Sequence, residues 1–82
     1  MATVKLLSHM ATAAGTAEVE IEAATVGRLI RILEERFGDE FGTLLKACKV
    51  IVNGRSVVAL KLKRTPLRPG DEVSLLPPLA GG

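Results

Sequence analysis

The chain has 82 residues, 48% hydrophobic and 24% charged, which allows one small domain built on a single core. Its net charge of +2 and its two aromatic residues, both Phe, supply neither the charge density for a polyanion nor the rings for base stacking, so no nucleic-acid partner is expected. No apolar run approaches the ~18 residues of a membrane span, and the N-terminus lacks a charged region followed by an apolar stretch. No membrane partner is therefore expected, and the cytoplasm is the default location.

The first strand is expected over residues 3–7, which read Thr-Val-Lys-Leu-Leu. Residues 8–16 are small and polar and end near Gly15, which suits a turn, with His9 as a loop residue. Residues 18–23 alternate strictly: Val19, Ile21 and Ala23 share one face, and Glu18, Glu20 and Glu22 share the other. A strand with one buried face and one solvated face accounts for the pattern.

Thr25 is a good N-cap for a helix carrying Val26, Leu29, Ile30, Leu33 and Phe37 as one apolar stripe, with Gly38 at the stop. A short second helix over 39–47 would carry Phe41, Leu44 and Leu45. Val50-Ile51-Val52 reads as a strand, Asn53-Gly54 as a hairpin turn, and Ser56 to Leu60 as the returning strand. Lys61, Lys63, Arg64 and Arg68 form a basic stretch, read as a solvated face, with steering of an acidic partner as the sharper alternative. Residues 65–71 are turn-rich, and Glu72–Leu76 is the last strand, stopped by Pro77 and Pro78. The order of elements predicts an α+β layout, with a sheet covered on one face by a main helix.

Few side chains suggest catalysis. Cys48 is the sole cysteine, so no internal disulfide forms. It reads as a small apolar filler rather than a reactive thiol, although Lys46 and Lys49 flank it. His9 has no partners with which to complete a metal set, and no metal site is expected.

The chemistry points instead to the end of the chain. Domain residues 1–76 are followed by a tail, 77–82, reading Pro77-Pro78-Leu79-Ala80-Gly81-Gly82. The two prolines favour a pre-extended base. The two glycines make a tip slim enough to enter a narrow slot. The Gly82 carboxylate, ionised above pH ~3.5, is a poor electrophile, so reaction there requires activation from outside. That is the design of a carrier or modifier rather than of an enzyme.

The string Pro66-Leu67-Arg68-Pro69-Gly70-Asp71-Glu72-Val73, followed by the PP-x-x-GG ending at 77–82, resembles the ubiquitin-like sulfur carriers of the MoaD/ThiS group. Ala14-Gly15-Thr16, Ala24-Thr25-Val26 and Val52-Asn53-Gly54 extend the similarity over essentially the whole chain. Within the group it is most similar to the small subunit of molybdopterin synthase. Two departures stand out. The segment from Ser56 to Thr65 is long and basic, and Leu76 stands where many relatives carry an aromatic residue.

The resemblance implies a β-grasp fold, with a mixed sheet of about five strands and one main helix on one face. It also implies that the chain binds no cofactor itself. An E1-like adenylating enzyme would use ATP to activate Gly82. A sulfur donor of the cysteine desulfurase or rhodanese type would then leave a thiocarboxylate there. The tail, Pro77 to Gly82, would insert into the synthase large subunit, and the terminal sulfur would attack a pterin precursor. From the residues themselves, the strand period of two sets Val73 and Leu75 on the core face and Leu76 on the other. There Leu76 with Leu7 and Ile51 would form an apolar docking patch at the tail's root; the alternative is that Leu7 and Ile51 are buried under loops. Other readings keep the tail chemistry but change the acceptor: a carrier for thiamine or cysteine synthesis, or a modifier joined to lysines. A non-catalytic interaction module is the alternative from a different class.

Overall fold

The computed structural model describes residues 1–57 and 64–77. Among these, five strands form one mixed sheet: β1 (Ala2–Leu6), β2 (Glu18–Ile21), β3 (Lys49–Val52), β4 (Arg55–Val57) and β5 (Glu72–Leu76), in spatial order β2-β1-β5-β3-β4. Three helices accompany them: α1 (His9–Ala14), α2 (Val26–Phe37) and α3 (Asp39–Ala47). The first and last strands, β1 and β5, lie side by side and parallel at the centre, and every other pairing is antiparallel. This is the expected β-grasp.

Alternation decides which side of the sheet meets the helices. Val4, Leu6, Val50, Val73 and Leu75 are all buried, and they point to the helical side. Val26, Leu29 and Leu33 of α2 and Phe41 of α3 are fully buried against them. Each such aliphatic side chain withdrawn from water contributes about 1.5–3 kcal/mol. Ile30 and Phe37, the other members of the predicted stripe, are only half-buried. The Phe37 ring still meets Phe41 at 5.0 Å between centroids, tilted by 52°.

Local signals set the ends of α2. Thr25 is extended, and its Oγ1 accepts the Arg28 N–H at 3.2 Å. Gly38, at φ 89°, donates its N–H to the Glu34 carbonyl at 2.9 Å and turns the chain into α3. A β-branched residue could not hold that backbone angle without strain. The segment before β5 is stitched to the start of α2. Val26 N–H donates to Thr65 O and Leu67 N–H to Ala24 O, both at 2.9 Å, and Leu67 enters the core.

Three expectations need correction. Residues 8–16 are not simply a turn, because His9–Ala14 forms α1, and His9 opens that helix rather than lying in a loop. The alanines are strong helix formers, and the fully buried Met10 anchors the element. Six residues are too few for an apolar period to show in the sequence. The strand expected over 18–23 stops at Ile21. The returning strand begins at Arg55, and residues 58–60 of its expected span lie outside the described residues. Among the described residues, no helix is long and apolar enough to cross a membrane.

The β3–β4 turn is tied to the loop before β5. Asn53 adopts φ 50° and Gly54 φ 84°, as a tight hairpin turn requires. Asn53 Nδ2 donates to Asp71 Oδ1 at 3.1 Å, and Asn53 Oδ1 accepts Glu72 N–H at 2.9 Å. Asp71 Oδ2 accepts Arg68 N–H at 2.8 Å. That backbone donor, then the Asn53 amide and the Arg68 charge, hold the Asp71 carboxyl below the usual carboxylate range. A depressed carboxyl stabilises the fold above its unfolded pKa of ~3.9, and the contribution is lost as pH falls through the folded value. Wild type should therefore melt above Asp71→Ala at pH 7, with the gap narrowing below about pH 4. Thermal melts of the two proteins across pH 2–7 check this.

Candidate functional site

β5 delivers the C-terminal segment from the middle of the sheet. Its Val73 and Leu75 are fully buried, whereas Ser74 and Leu76 are half-buried on the opposite, outer face. Pro77 follows at once and is itself buried, so the chain is held to the domain one residue past the strand. Pro78, Leu79, Ala80, Gly81 and Gly82, the remaining predicted site residues, lie outside the described residues.

The three residues expected to form a docking patch are brought to one face. Leu6 is in register with Leu75, and the Leu7 N–H donates to the Leu75 carbonyl at 3.2 Å. Leu7 therefore sits beside Leu76 across the β1–β5 pair, and at 39% it is a markedly exposed large apolar residue. On the other side of β5, Lys49 is in register with Leu76 and Ile51 with Ser74. Ile51 is half-buried and diagonal to Leu76, within reach of a long side chain. Leu7 is exposed and Leu76 and Ile51 are only half-buried, so the outer face presents a partly open apolar strip at the root of the tail.

Charge frames that strip. Lys49 is exposed beside Leu76, and Lys5 lies one register step back, 3.4 Å from the Glu72 carboxylate. Both partners in that ion pair are about half exposed, so it adds little stability. Glu18 and Glu20 hold the far edge on β2. Sequence reasoning missed Lys49 because its place beside Leu76 is a matter of β3–β5 register, which no local pattern encodes. Arg68, one of the basic residues considered for steering, is exposed but stands before β5, roughly 13 Å of strand from Leu76. Arg64 is also exposed, and Lys61 and Lys63 lie outside the described residues.

Cys48 caps α3 just before β3, next to the tail's root in the sheet register. Burial pushes its thiol pKa up, and its Sγ lies 3.2 Å from the Leu45 carbonyl as a weak donor. The half-buried side chain packs against the core. It is a filler, held away from the thiolate form that nucleophilic sulfur chemistry needs. Among the described residues, no group of three or more His, Cys, Asp or Glu could hold a metal ion. The described surface thus offers a platform and a tail root without an acid–base pair aimed at a reacting atom.

A small β-grasp domain whose central strand runs out into a Gly-Gly terminus defines a class of ubiquitin-like proteins. The ThiS family model matches residues 4–82, and the chain belongs to that family. It is 36% identical over 75 residues to a protein of Archaeoglobus fulgidus described as a sulfur carrier, covering 83% of this chain and 85% of that one. It is 42% identical over 65 residues to small archaeal modifier protein 3 of Haloferax volcanii, covering 72% and 71%. Among solved structures it is similar to a chain from the complex of subunits 1 and 2 of the molybdopterin-converting factor of Helicobacter pylori. That match has a TM-score of 0.72 and 28% identity, covering 99% of this chain and 97% of that one.

The state of Cys48 has a measurable consequence. Alkylation at pH 7–8 should run at least several-fold slower than for free cysteine, and should accelerate on unfolding in denaturant. Mass spectrometry of the adduct over time, with and without denaturant, checks this.

Proposed function

We propose that this chain is a sulfur carrier whose Gly82 carboxylate is adenylated and converted to a thiocarboxylate, serving as the small subunit of a molybdopterin synthase. The observation that supports the reading best is the position of the tail's root. It leaves the central strand beside the exposed Leu7–Leu76 strip, so one partner surface can grip the domain and receive the terminus.

The chemistry follows from the weakness of a carboxylate as an electrophile. Attack of a Gly82 oxygen on the α-phosphorus of ATP, in an activating enzyme, expels pyrophosphate and leaves an acyl adenylate. A hydrosulfide equivalent from a sulfur donor attacks the acyl carbon, AMP departs, and a thiocarboxylate remains. In the synthase large subunit, that sulfur becomes the nucleophile toward the pterin precursor. Acids, bases and the ATP site belong to the partners, and this chain contributes the reacting terminus. Such ATP-dependent activation suits the cytoplasm. Since Pro77 is anchored, residues 78–82 supply the reach, roughly 16 Å when fully extended.

A second reading is favoured by the similarity to the Haloferax volcanii modifier: the activated Gly82 is joined to substrate lysines. Mass spectrometry of the chain recovered from cells separates the two. Exchange of one oxygen for sulfur at the terminus supports the carrier, and isopeptide adducts support the modifier.

Two further outcomes are expected. Deleting Gly82, or adding one Ala after it, should leave the melting temperature unchanged, because changes at a chain terminus cost a folded domain little. ATP-dependent adenylate formation should nevertheless fall by about 100-fold or more in both variants. The added residue moves the carboxyl by ~3.5 Å, and a misplacement of even 1 Å costs ~100-fold in rate. Full activation of both variants would end the carrier and modifier readings together. Leu76→Asp should weaken binding to the synthase large subunit by at least tenfold while leaving the fold intact, as titration calorimetry and circular dichroism will report.

A further inference from the structure

The helical side of the sheet carries a second surface. An open groove of about 890 Å³ runs between α2, the end of α3 and the β3–β4 hairpin. Val50 and Val57, register partners in that hairpin, lie along it with Ile30 of α2. Val50 is buried, while Val57 and Ile30 are only half-buried, so aliphatic surface is left uncovered.

The rim is basic. Arg28 and Arg31 stand about one turn apart on α2, and Lys46 follows from the end of α3. All three are exposed, and none forms an ion pair among the described residues. Glu34 is the sole carboxylate on the described rim. Three cations against one anion leave an excess of two positive charges in this one groove, as many as the net charge of +2 on the whole chain. The groove concentrates positive potential instead of sharing the chain's average.

We propose that this groove docks an acidic, extended segment of a partner protein. Aliphatic side chains of the segment rest on Ile30, Val50 and Val57, and its carboxylates meet Arg28, Arg31 and Lys46. The aliphatic floor selects a peptide over a nucleic acid, since it has no ring on which a base could stack. The groove is open, and its cations come from two different helices, which suits a chain more than a compact anion. By strand alternation the Val50 and Val57 side chains point away from the face carrying Ile51 and Leu76. A peptide can therefore sit here while the outer face and tail are engaged elsewhere. The proposal does not rest on the sulfur-carrier reading.

The test is a nuclear magnetic resonance titration of the full chain with a blocked peptide having a Val-Ile-Val-Leu core flanked on both sides by aspartates. Saturable shifts are expected in α2 and in residues 46–50 and 55–57. Replacing the aspartates of the peptide by asparagines should abolish binding. The double variant Arg28→Glu, Arg31→Glu should weaken binding about tenfold with unchanged melting, and added salt should weaken the wild-type complex. Absence of saturable shifts, shifts confined to the outer face, or equal affinity in the double variant would overturn the proposal. An oligonucleotide that moves the same resonances where the peptide does not would assign the groove to a polyanion. Concentration-dependent shifts of these resonances in the free protein would assign it to a second copy. Nuclear Overhauser contacts to residues 58–63 would assign it to the chain itself. Each of these three results overturns the proposal.

Discussion

The parallel pairing of β1 with β5 is the constraint on which the rest of this structure depends. It joins the two ends of the domain through four register pairs, from Thr3 opposite Glu72 to Leu6 opposite Leu75. Closing so long a loop costs conformational entropy, and the buried pairs Val4–Val73 and Leu6–Leu75 are the compensation, fully desolvated beneath α2 and α3. With β5 central, the chain leaves the sheet from its middle strand. The buried Val73 and Leu75 tie the tail's root to the core, and the buried Pro77 extends that tie by one residue.

The same pairing arranges the outer face. Leu7 is carried beside Leu76 because β1 lies against β5, and Lys49 and Ile51 arrive on the other side because β3 does. Residues from three distant parts of the chain thus meet at the point where the tail begins. The loop contacts support this geometry from the opposite end of β5. The Asn53–Asp71 and Asn53–Glu72 hydrogen bonds keep the hairpin turn against the start of the strand, and the bonds to Thr65 and Ala24 keep residues 65–67 on α2.

The described surface is chemically quiet. Its single thiol is half-buried with a raised pKa. What the domain provides is two dissimilar faces on one thin sheet: an apolar strip beside the tail, and a cation-rimmed groove behind it. With such a division, a contact on one face need not displace a contact on the other.

Much of this was legible in the sequence, for local reasons. The alternation from Glu18 to Ile21, the stripe and Thr25 cap of α2, the Asn53-Gly54 turn and the Pro-Pro and Gly-Gly ending are written in short-range pattern and backbone sterics, which act wherever the segment lies. Helix α1 was not legible, because six residues show no period and its anchor, Met10, acquires meaning only once something packs over it. The strip of Leu7, Leu76 and Ile51 could be proposed from strand parity, but Lys49 could not be added, since its neighbour is chosen by β3–β5 register. The cationic groove was wholly hidden: Arg28 and Arg31 lie off the apolar stripe of α2, and Lys46 stands out in the sequence only as a flank of a cysteine. Local patterns determined which segments are strands and helices and which face of each is apolar. Only the tertiary structure decided which apolar edges stay uncovered and which charges gather around them, because that depends on long-range pairing between segments the sequence sets far apart.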